Sequence, residues 1–272
     1  MMAPVIAEPP TVAYPLYESV GIFDAPSAVP QMGQVVAEYP RRTRPRRVAR
    51  PPISLAGKRL EAGQALVEPE GNLSVGYQFA KRVLDLAGAL GLLIVFGPII
   101  LAIFLILLVT TRGKPLFWQY RAGYCGRPFK VFKFRTMVLD AASRKHEVAN
   151  EQRGPVFKNR HDPRITRIGR FLRKTSLDET PQLFSVLLGR MSLVGPRPLV
   201  LEEVAQFKAW QRRRLSVKPG LTCLWQISGR SEIGFEDWMR LDIWYVRNQS
   251  FWTDLKLLLL TPTAVLAGRG AY

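Results

Sequence analysis

Asp178 and Glu179 are adjacent carboxylates, and of all the side chains in this sequence they are the pair best suited to chemistry. Neighbouring carboxylates repel unless positive charge is close, and Arg173, Lys174, a helix dipole or a divalent cation can supply it. A carboxylate can attack phosphorus as a nucleophile. Its neighbour can hold Mg2+, which bridges diphosphate oxygens and neutralises developing charge. Read alone, the pair is more simply a helix start whose dipole favours two acids. The stretch Ser192-Leu193-Val194-Gly195-Pro196-Arg197-Pro198 is the second feature. Two prolines fix the backbone around Arg197, and a rigid frame loses less entropy when a guanidinium clamps a phosphate through two bonds. A surface turn with an exposed arginine is the alternative. Lys133-Phe134-Arg135 is the third. On a strand Lys133 and Arg135 share a face, so two cations converge; a solvated strand face is the plainer reading.

These side chains need elements to hold them. Residues 129–135 read as a strand, preceded by the turn residues Gly123 and Gly126-Arg127-Pro128. Asp162-Pro163 reads as an N-cap followed by proline at the first helical position. The helix after it carries Arg167, Arg170, Arg173 and Lys174 along one side, with Ile168, Phe171 and Leu172 as its apolar side. Thr180-Pro181 repeats the signal and opens a short apolar helix that stops at Gly189. Residues 255–266 are apolar but too few to span a bilayer, and Lys256 and Pro262 interrupt them; they suit a core or interfacial helix. The sequence from 113 to 272 thus reads as one catalytic domain.

Upstream the character changes. Residues 86–109 carry no charge. As a helix they extend roughly 36 Å, enough to cross a bilayer. Gly97 and Pro98 sit in the middle, where proline removes a backbone hydrogen bond. Lys81 and Arg82 precede the run; Arg112 and Lys114 follow it. The positive-inside rule places both ends in the cytoplasm. A helix kinked at Gly97-Pro98 that enters and leaves by one face meets both conditions, and a kinked full span competes with it. The membrane element is assigned to residues 75–112. Residues 1–74, rich in proline and arginine, read as a disordered cytoplasmic tail. No secretory signal is expected near Met1.

Composition narrows the chemistry. Lys and Arg number 39 against 21 Asp and Glu, a net charge of +18 over 272 residues. Such an excess calls for an anionic partner: nucleic acid, an acidic membrane face or phosphorylated substrates. Two cysteines and two histidines make a transition-metal site unexpected, while a hard cation held by carboxylates and phosphates stays open.

Taken together and in order, these segments resemble the bacterial sugar transferase family, the monotopic phosphoglycosyl transferases. The matching stretches are Gln119-Tyr120-Arg121-Ala122-Gly123, residues 129–137 with their KFRTM core, Asp162-Pro163-Arg164, residues 172–183 (LRKTSLDETPQL) and residues 191–198 (MSLVGPRP). Lys218-Pro219-Gly220-Leu221-Thr222 and the closing Gly268-Arg269-Gly270-Ala271-Tyr272 complete the pattern. Several long motifs in fixed order are far more specific than one short pattern.

The resemblance implies an α+β, mostly helical, monotopic membrane protein, with one re-entrant helix and interfacial helices packed on a small β element. It implies transfer of a hexose-1-phosphate from UDP-galactose or UDP-glucose to undecaprenyl phosphate, with release of UMP, as the first step of exopolysaccharide or other glycoconjugate assembly. Asp178 falls on the nucleophile that forms a phosphosugar intermediate, and Glu179 on the ligand of Mg2+. Arg173 and Arg197, and less directly Lys133 and Arg135, fall on phosphate-contacting positions. Pro98 falls on the proline that breaks the re-entrant helix. Gly97 stands where many members have serine, and Thr180 where an apolar residue is common. The expected setting is the bacterial inner membrane, with the catalytic domain on its cytoplasmic face and anionic lipids as further partners. A non-catalytic membrane adaptor explains the charge and the apolar run, but not Asp178-Glu179 beside Arg173. A nucleic-acid binder explains the charge alone, and no recognisable module accompanies it.

Overall fold

In the computed structural model of the protein, residues 53–55, 58–60, 66–69, 73–151 and 154–267 are described. Apart from those short stretches, the tail assigned to residues 1–74 lies outside them, as do the closing Gly268-Arg269-Gly270-Ala271-Tyr272. Strands β1 (Ile53–Leu55) and β2 (Lys58–Leu60) pair as a small antiparallel hairpin.

Helix α1 runs from Val75 to Thr110, 36 residues or roughly 54 Å. Ser74 starts it, its hydroxyl accepting the Tyr77 N–H at 3.2 Å. Gly113, at φ +81°, closes it by donating to the Leu108 carbonyl at 2.8 Å. The helix continues through Gly97 and Pro98, although Pro98 has no N–H for the carbonyl of Ile94. Its middle is bare: Ile94 and Val95 are each 69% exposed. An apolar surface of that extent is stable in lipid, not in water.

Both ends of α1, by contrast, are docked. Near its start, the Arg82 guanidinium donates to the carbonyls of Val186 and Leu187, both at 2.8 Å. Toward its end, Ile103 and Leu107 pack with Phe134 and Leu172 into one buried cluster.

Strand β3 (Leu116–Ala122) pairs antiparallel with β4 (Pro128–Phe134). The expected strand over 129–135 is there, shifted by one residue at each end. Opposed pairs in this register are Phe117 with Lys133, Gln119 with Val131 and Arg121 with Phe129. Alternation therefore puts Arg121 and Lys133 on one face and Phe134 on the other, against α1.

Two helix starts differ from expectation. Helix α2 (Arg167–Lys174) begins four residues beyond Pro163, and Thr166 is its cap, accepting the Gly169 N–H at 2.9 Å. Asp162 is committed elsewhere, to a buried ion pair with Arg164 at 2.7 Å. Thr180-Pro181 does not open a helix either. Both residues lie inside a 3-10 segment, Leu177–Gln182, where the Thr180 hydroxyl donates back to the Leu177 carbonyl. That tighter turn leads into α3 (Leu183–Leu187), which ends before Gly189 at φ +71°, as its glycine implies.

Strands β5 (Ser192–Val194) and β6 (Gly220–Thr222) pair in parallel. Between them lie α4 (Leu201–Ala205) and α5 (Ala209–Arg212). Helices α6 (Leu224–Ile227), α7 (Phe235–Arg247) and α8 (Phe251–Ala267) finish the described chain. The described residues are mostly helical, with small two-stranded sheets and one long apolar helix suited to a membrane. Helix α8 occupies the region read as a core or interfacial helix. It buries Asp254 and Leu257, while Trp252 and Leu259 are exposed.

One close approach matters to the site. A Cβ on Gly169 would lie 2.0 Å from the Thr136 carbonyl oxygen. Glycine there lets α2 press onto the loop after β4, which brings Arg173 to Thr136. Gly169→Ala is expected to cost about 1–3 kcal/mol through overpacking. It should lower both Tm and turnover, because α2 carries Arg173. An unchanged melting curve would show that the loop yields at no cost.

Candidate active site

The chain enters the Leu177–Gln182 segment through Ser176, a non-glycine residue at φ +58°. That left-handed residue turns the backbone out of α2, and the Glu179 N–H bonds the Ser176 carbonyl at 3.2 Å. The turn sends both carboxylates inward: Asp178 is 7% exposed and Glu179 8%.

The two carboxylates differ in their partners. Glu179 accepts Lys133 Nζ on Oε1 at 2.5 Å. Arg197 meets it fork to fork, Nη1 on Oε2 at 3.1 Å and Nη2 on Oε1. Burial opposes the charge of Glu179, but Arg197 and Lys133 outweigh it and hold the carboxyl well below its ordinary range. Asp178 has looser company. Its Oδ2 lies 4.0 Å from Lys133 Nζ. Burial raises its proton affinity; Lys133 opposes, the charge of Glu179 adds, Arg173 opposes, and the result is a carboxyl above the ordinary aspartate range.

Arg173 reaches the group from α2, its Nε donating to Thr136 Oγ1 at 3.0 Å. Burial lowers its proton affinity, and Asp178 is the strongest opposing charge. Arg197 is fixed from behind as well as by its prolines. Its carbonyl accepts Arg214 Nη2 at 2.7 Å, and Arg214 is itself paired in the interior with Asp242. The strand before it is held by α1: Lys81 Nζ donates to the Val194 carbonyl at 3.1 Å, and Asp85 Oδ1 accepts the Leu193 N–H at 2.8 Å. Beyond the strand, Gly195 and Gly220 are pressed backbone to backbone, a Cβ on Gly220 falling 2.0 Å from Gly195 N.

Asp178, Glu179, Arg173, Arg197 and Lys133, residues that the resemblance picks out, are therefore brought together. Arg135 is not. Strand β4 ends at Phe134, and the Arg135 guanidinium turns to the carbonyls of Lys114, at 2.7 Å, and Leu116, at 3.1 Å. It tethers the start of β3 instead of joining Lys133. Gly97 and Pro98 lie on α1, in its exposed middle.

Arg121 is a member that sequence reasoning passes over. It donates to the Pro198 carbonyl at 2.6 Å, one residue past Arg197. Burial first, then the neighbouring Arg197, pushes its pKa down to about 10. The signal for it was the strand register, which puts Arg121 on the face of Lys133. A tightly closed cleft lies among Arg121, Lys133, Glu179, Gln182, Arg197 and Pro198. Four cations, Arg121, Lys133, Arg173 and Arg197, thus face two carboxylates. The surplus suits an anion. Among the described residues no group of three or more His, Cys, Asp or Glu is arranged to hold a metal.

Residues 76–268 match the family model described as bacterial sugar transferase. The galactosyl transferase CpsE of Streptococcus agalactiae serotype III is 48% identical over 196 residues, 71% of this chain and 43% of that protein. The undecaprenyl-phosphate galactose phosphotransferase of Salmonella typhimurium is 42% identical over 202 residues, 72% and 42% of the two chains. The exopolysaccharide production protein ExoY of Rhizobium meliloti is 39% identical over 199 residues, 71% of this chain and 88% of that one. The match thus spans less than half of the two longer relatives and most of the shorter. The family model covers well over half of the sequence, including every residue of the site: the chain belongs to the bacterial sugar transferase family.

Proposed function

We propose that this protein is a phosphoglycosyl transferase that moves a hexose-1-phosphate from UDP-galactose or UDP-glucose to undecaprenyl phosphate, releasing UMP. The observation that carries the reading is the asymmetry of the dyad. Glu179 is locked by two cations, whereas Asp178 is buried, basic for an aspartate and held only at 4.0 Å. A nucleophile needs that freedom. In the first step an Asp178 oxygen attacks the sugar-side phosphorus, and the bond from that phosphorus to the oxygen of UMP breaks. In the second, an oxygen of undecaprenyl phosphate attacks the same phosphorus and the carboxylate leaves. The product is undecaprenyl diphosphate hexose. The names of relatives, a UDP-galactose-lipid carrier transferase and a UDP-glucose:undecaprenyl-phosphate glucose-1-phosphate transferase among them, support these substrates.

Mg2+ fits the donor set in one respect. Asp178 and Glu179 are hard oxygen donors of the kind that Mg2+ would take. Glu179 would hold it once Lys133 and Arg197 turned from that carboxylate to the donor's phosphates. Bound there, the ion supplies neutralisation of the charge that develops on the diphosphate.

The membrane reading is a re-entrant α1, with the catalytic part on the cytoplasmic face of the inner membrane and anionic lipids against its basic surface. Support comes from the docking of both ends, through Lys81, Arg82 and Asp85 at one and Ile103 and Leu107 at the other. A span crossing completely would part them. Cysteines placed at Val75 and Lys114, both exposed, should resist a membrane-impermeant thiol reagent added to intact cells. The native Cys125 and Cys223 are buried and give little background. Labelling at either position from outside would establish a full span. Pro98→Leu restores the missing hydrogen bond and should convert part of the population to that span.

The test of the function is direct. Purified protein is incubated with UDP-galactose or UDP-glucose, Mg2+ and undecaprenyl phosphate. Release of UMP with a lipid-linked hexose is expected. If neither forms with either donor, a membrane adaptor becomes the better account.

A further inference from the structure

The cleft between the cations contains one polar group that nothing explains. Gln182 is 3% exposed and lines the cleft with Arg121, Lys133, Glu179 and Arg197. Its amide nitrogen is sealed from solvent and has no hydrogen-bond partner. A buried donor left unpaired is costly, and methionine would fill the same space without the penalty. The cations around it are each already engaged: Lys133 and Arg197 with Glu179, Arg121 with the Pro198 carbonyl. Gln182 also stands three residues after Glu179 in a 3-10 segment, the spacing at which side chains eclipse along one edge. Its amide therefore lies beside the dyad as an uncommitted neutral donor, closed off until Lys133 and Arg197 turn from Glu179.

From this placement we infer that Gln182 is a substrate-binding residue, whose amide N–H donates to a phosphate oxygen of the nucleoside diphosphate sugar. The inference rests on the donor proposed above. A neutral donor is apt there. It orients an oxygen without adding charge to a group already crowded with cations, and it needs no proton rearrangement when the phosphorus changes partners.

Two variants and two measurements decide it. Gln182→Met keeps length and removes the donor; Gln182→Glu removes the donor and adds a negative charge. UMP release from UDP-galactose without acceptor reads the donor half-reaction. The shift in Tm on adding inorganic pyrophosphate reads the phosphate contact without requiring transfer. Loss of a hydrogen bond to a charged group corresponds to roughly 10–100-fold in kcat/KM for the donor in Gln182→Met. Its unliganded Tm should equal or exceed that of the wild type, and the pyrophosphate shift should shrink. Gln182→Glu should lose more activity than Gln182→Met.

A donor kcat/KM within twofold of wild type in Gln182→Met would overturn the inference. So would a parallel fall in Tm, which marks a structural amide, or a defect confined to the acceptor half-reaction, which moves the contact to the lipid phosphate. Higher activity of Gln182→Glu with Mg2+ would make the residue a metal ligand instead. Should the wild type release no UMP yet show a Gln182-dependent pyrophosphate shift, the donor reading fails and the phosphate contact stands. No pyrophosphate shift in the wild type, or one that Gln182→Met leaves intact, ends it.

Discussion

Asp178→Asn is expected to abolish transfer. Asparagine keeps the shape but is a far poorer nucleophile, so turnover should fall on the order of 10,000-fold or more, as when an attacking residue is removed elsewhere. Mass spectrometry of wild type incubated with donor alone should find a phosphosugar on Asp178, and none in the variant. Glu179→Gln should fail differently. It loses the charge that binds Lys133 and Arg197 but keeps a neutral oxygen, so some activity should return with excess Mg2+. No metal concentration should rescue Asp178→Asn. Stability offers a second signature. The Asp178 carboxyl is raised above the ordinary range chiefly by burial, so the folded state takes up its proton at higher pH than the unfolded chain does. Stability then declines as pH rises from the unfolded pKa through the folded one. Asparagine escapes that decline, so Asp178→Asn should melt higher than wild type at neutral pH and no higher in acid below both values. The acid limb of the donor half-reaction should likewise sit above an ordinary aspartate, and Lys133→Met should move it higher still by removing the ammonium at 4.0 Å. An adduct on another residue, or full activity in Asp178→Asn, would leave Asp178 as a buried helix-start carboxylate.

The grouping of Asp178, Glu179, Arg173, Arg197 and Lys133 was legible through the family resemblance, because each local signal alone fits a plainer reading: a helix start, a surface turn or a solvated strand face. Turn residues marked the start of β4, two prolines framed Arg197, and Gly189 stopped α3. The misplaced helix starts show where local signals end. Asp162 has the chemistry of a cap, but a buried arginine two residues on competes for the same carboxylate and wins. Thr166, with an ordinary cap geometry, takes over. Thr180-Pro181 fits an α-helix start as well as it fits the 3-10 turn that Ser176 opens, and only the left-handed backbone of Ser176 decides between them. Arg135 shows the cost of assuming that a strand continues. One residue past its end, the side chain is free to satisfy carbonyls at the edge of β3. Arg121 and Gln182 were unreadable for another reason. Their places depend on what lies opposite, a strand register in one case and a cleft between four segments in the other, and no short stretch of sequence reports that.

Arg197→Lys should give the second large effect, by a route that charge alone does not provide. The guanidinium reaches both oxygens of Glu179 through separate nitrogens, while its carbonyl is pinned by Arg214 and its backbone by two prolines. An ammonium on a flexible stem cannot make that planar fork. If the fork turns from Glu179 to the donor diphosphate, its loss removes a preset phosphate clamp, and kcat should fall on the order of 100-fold or more. Membrane binding should be unchanged, because the apolar surface suited to lipid is the bare middle of α1, around Ile94 and Val95, and the partners of Arg197, Glu179 and Arg214, lie outside that helix. Arg197→Ala is the cruder change. It leaves a buried Glu179 with Lys133 alone, and removing one partner of a buried pair costs about 3–5 kcal/mol. A fall in Tm with Arg197→Ala and a fall in kcat with little change in Tm for Arg197→Lys would separate the two roles of this side chain. Near-normal kcat in Arg197→Lys would reduce Arg197 to a counter-charge for Glu179, and the work of holding the diphosphate would pass to Arg121, Lys133 and Arg173.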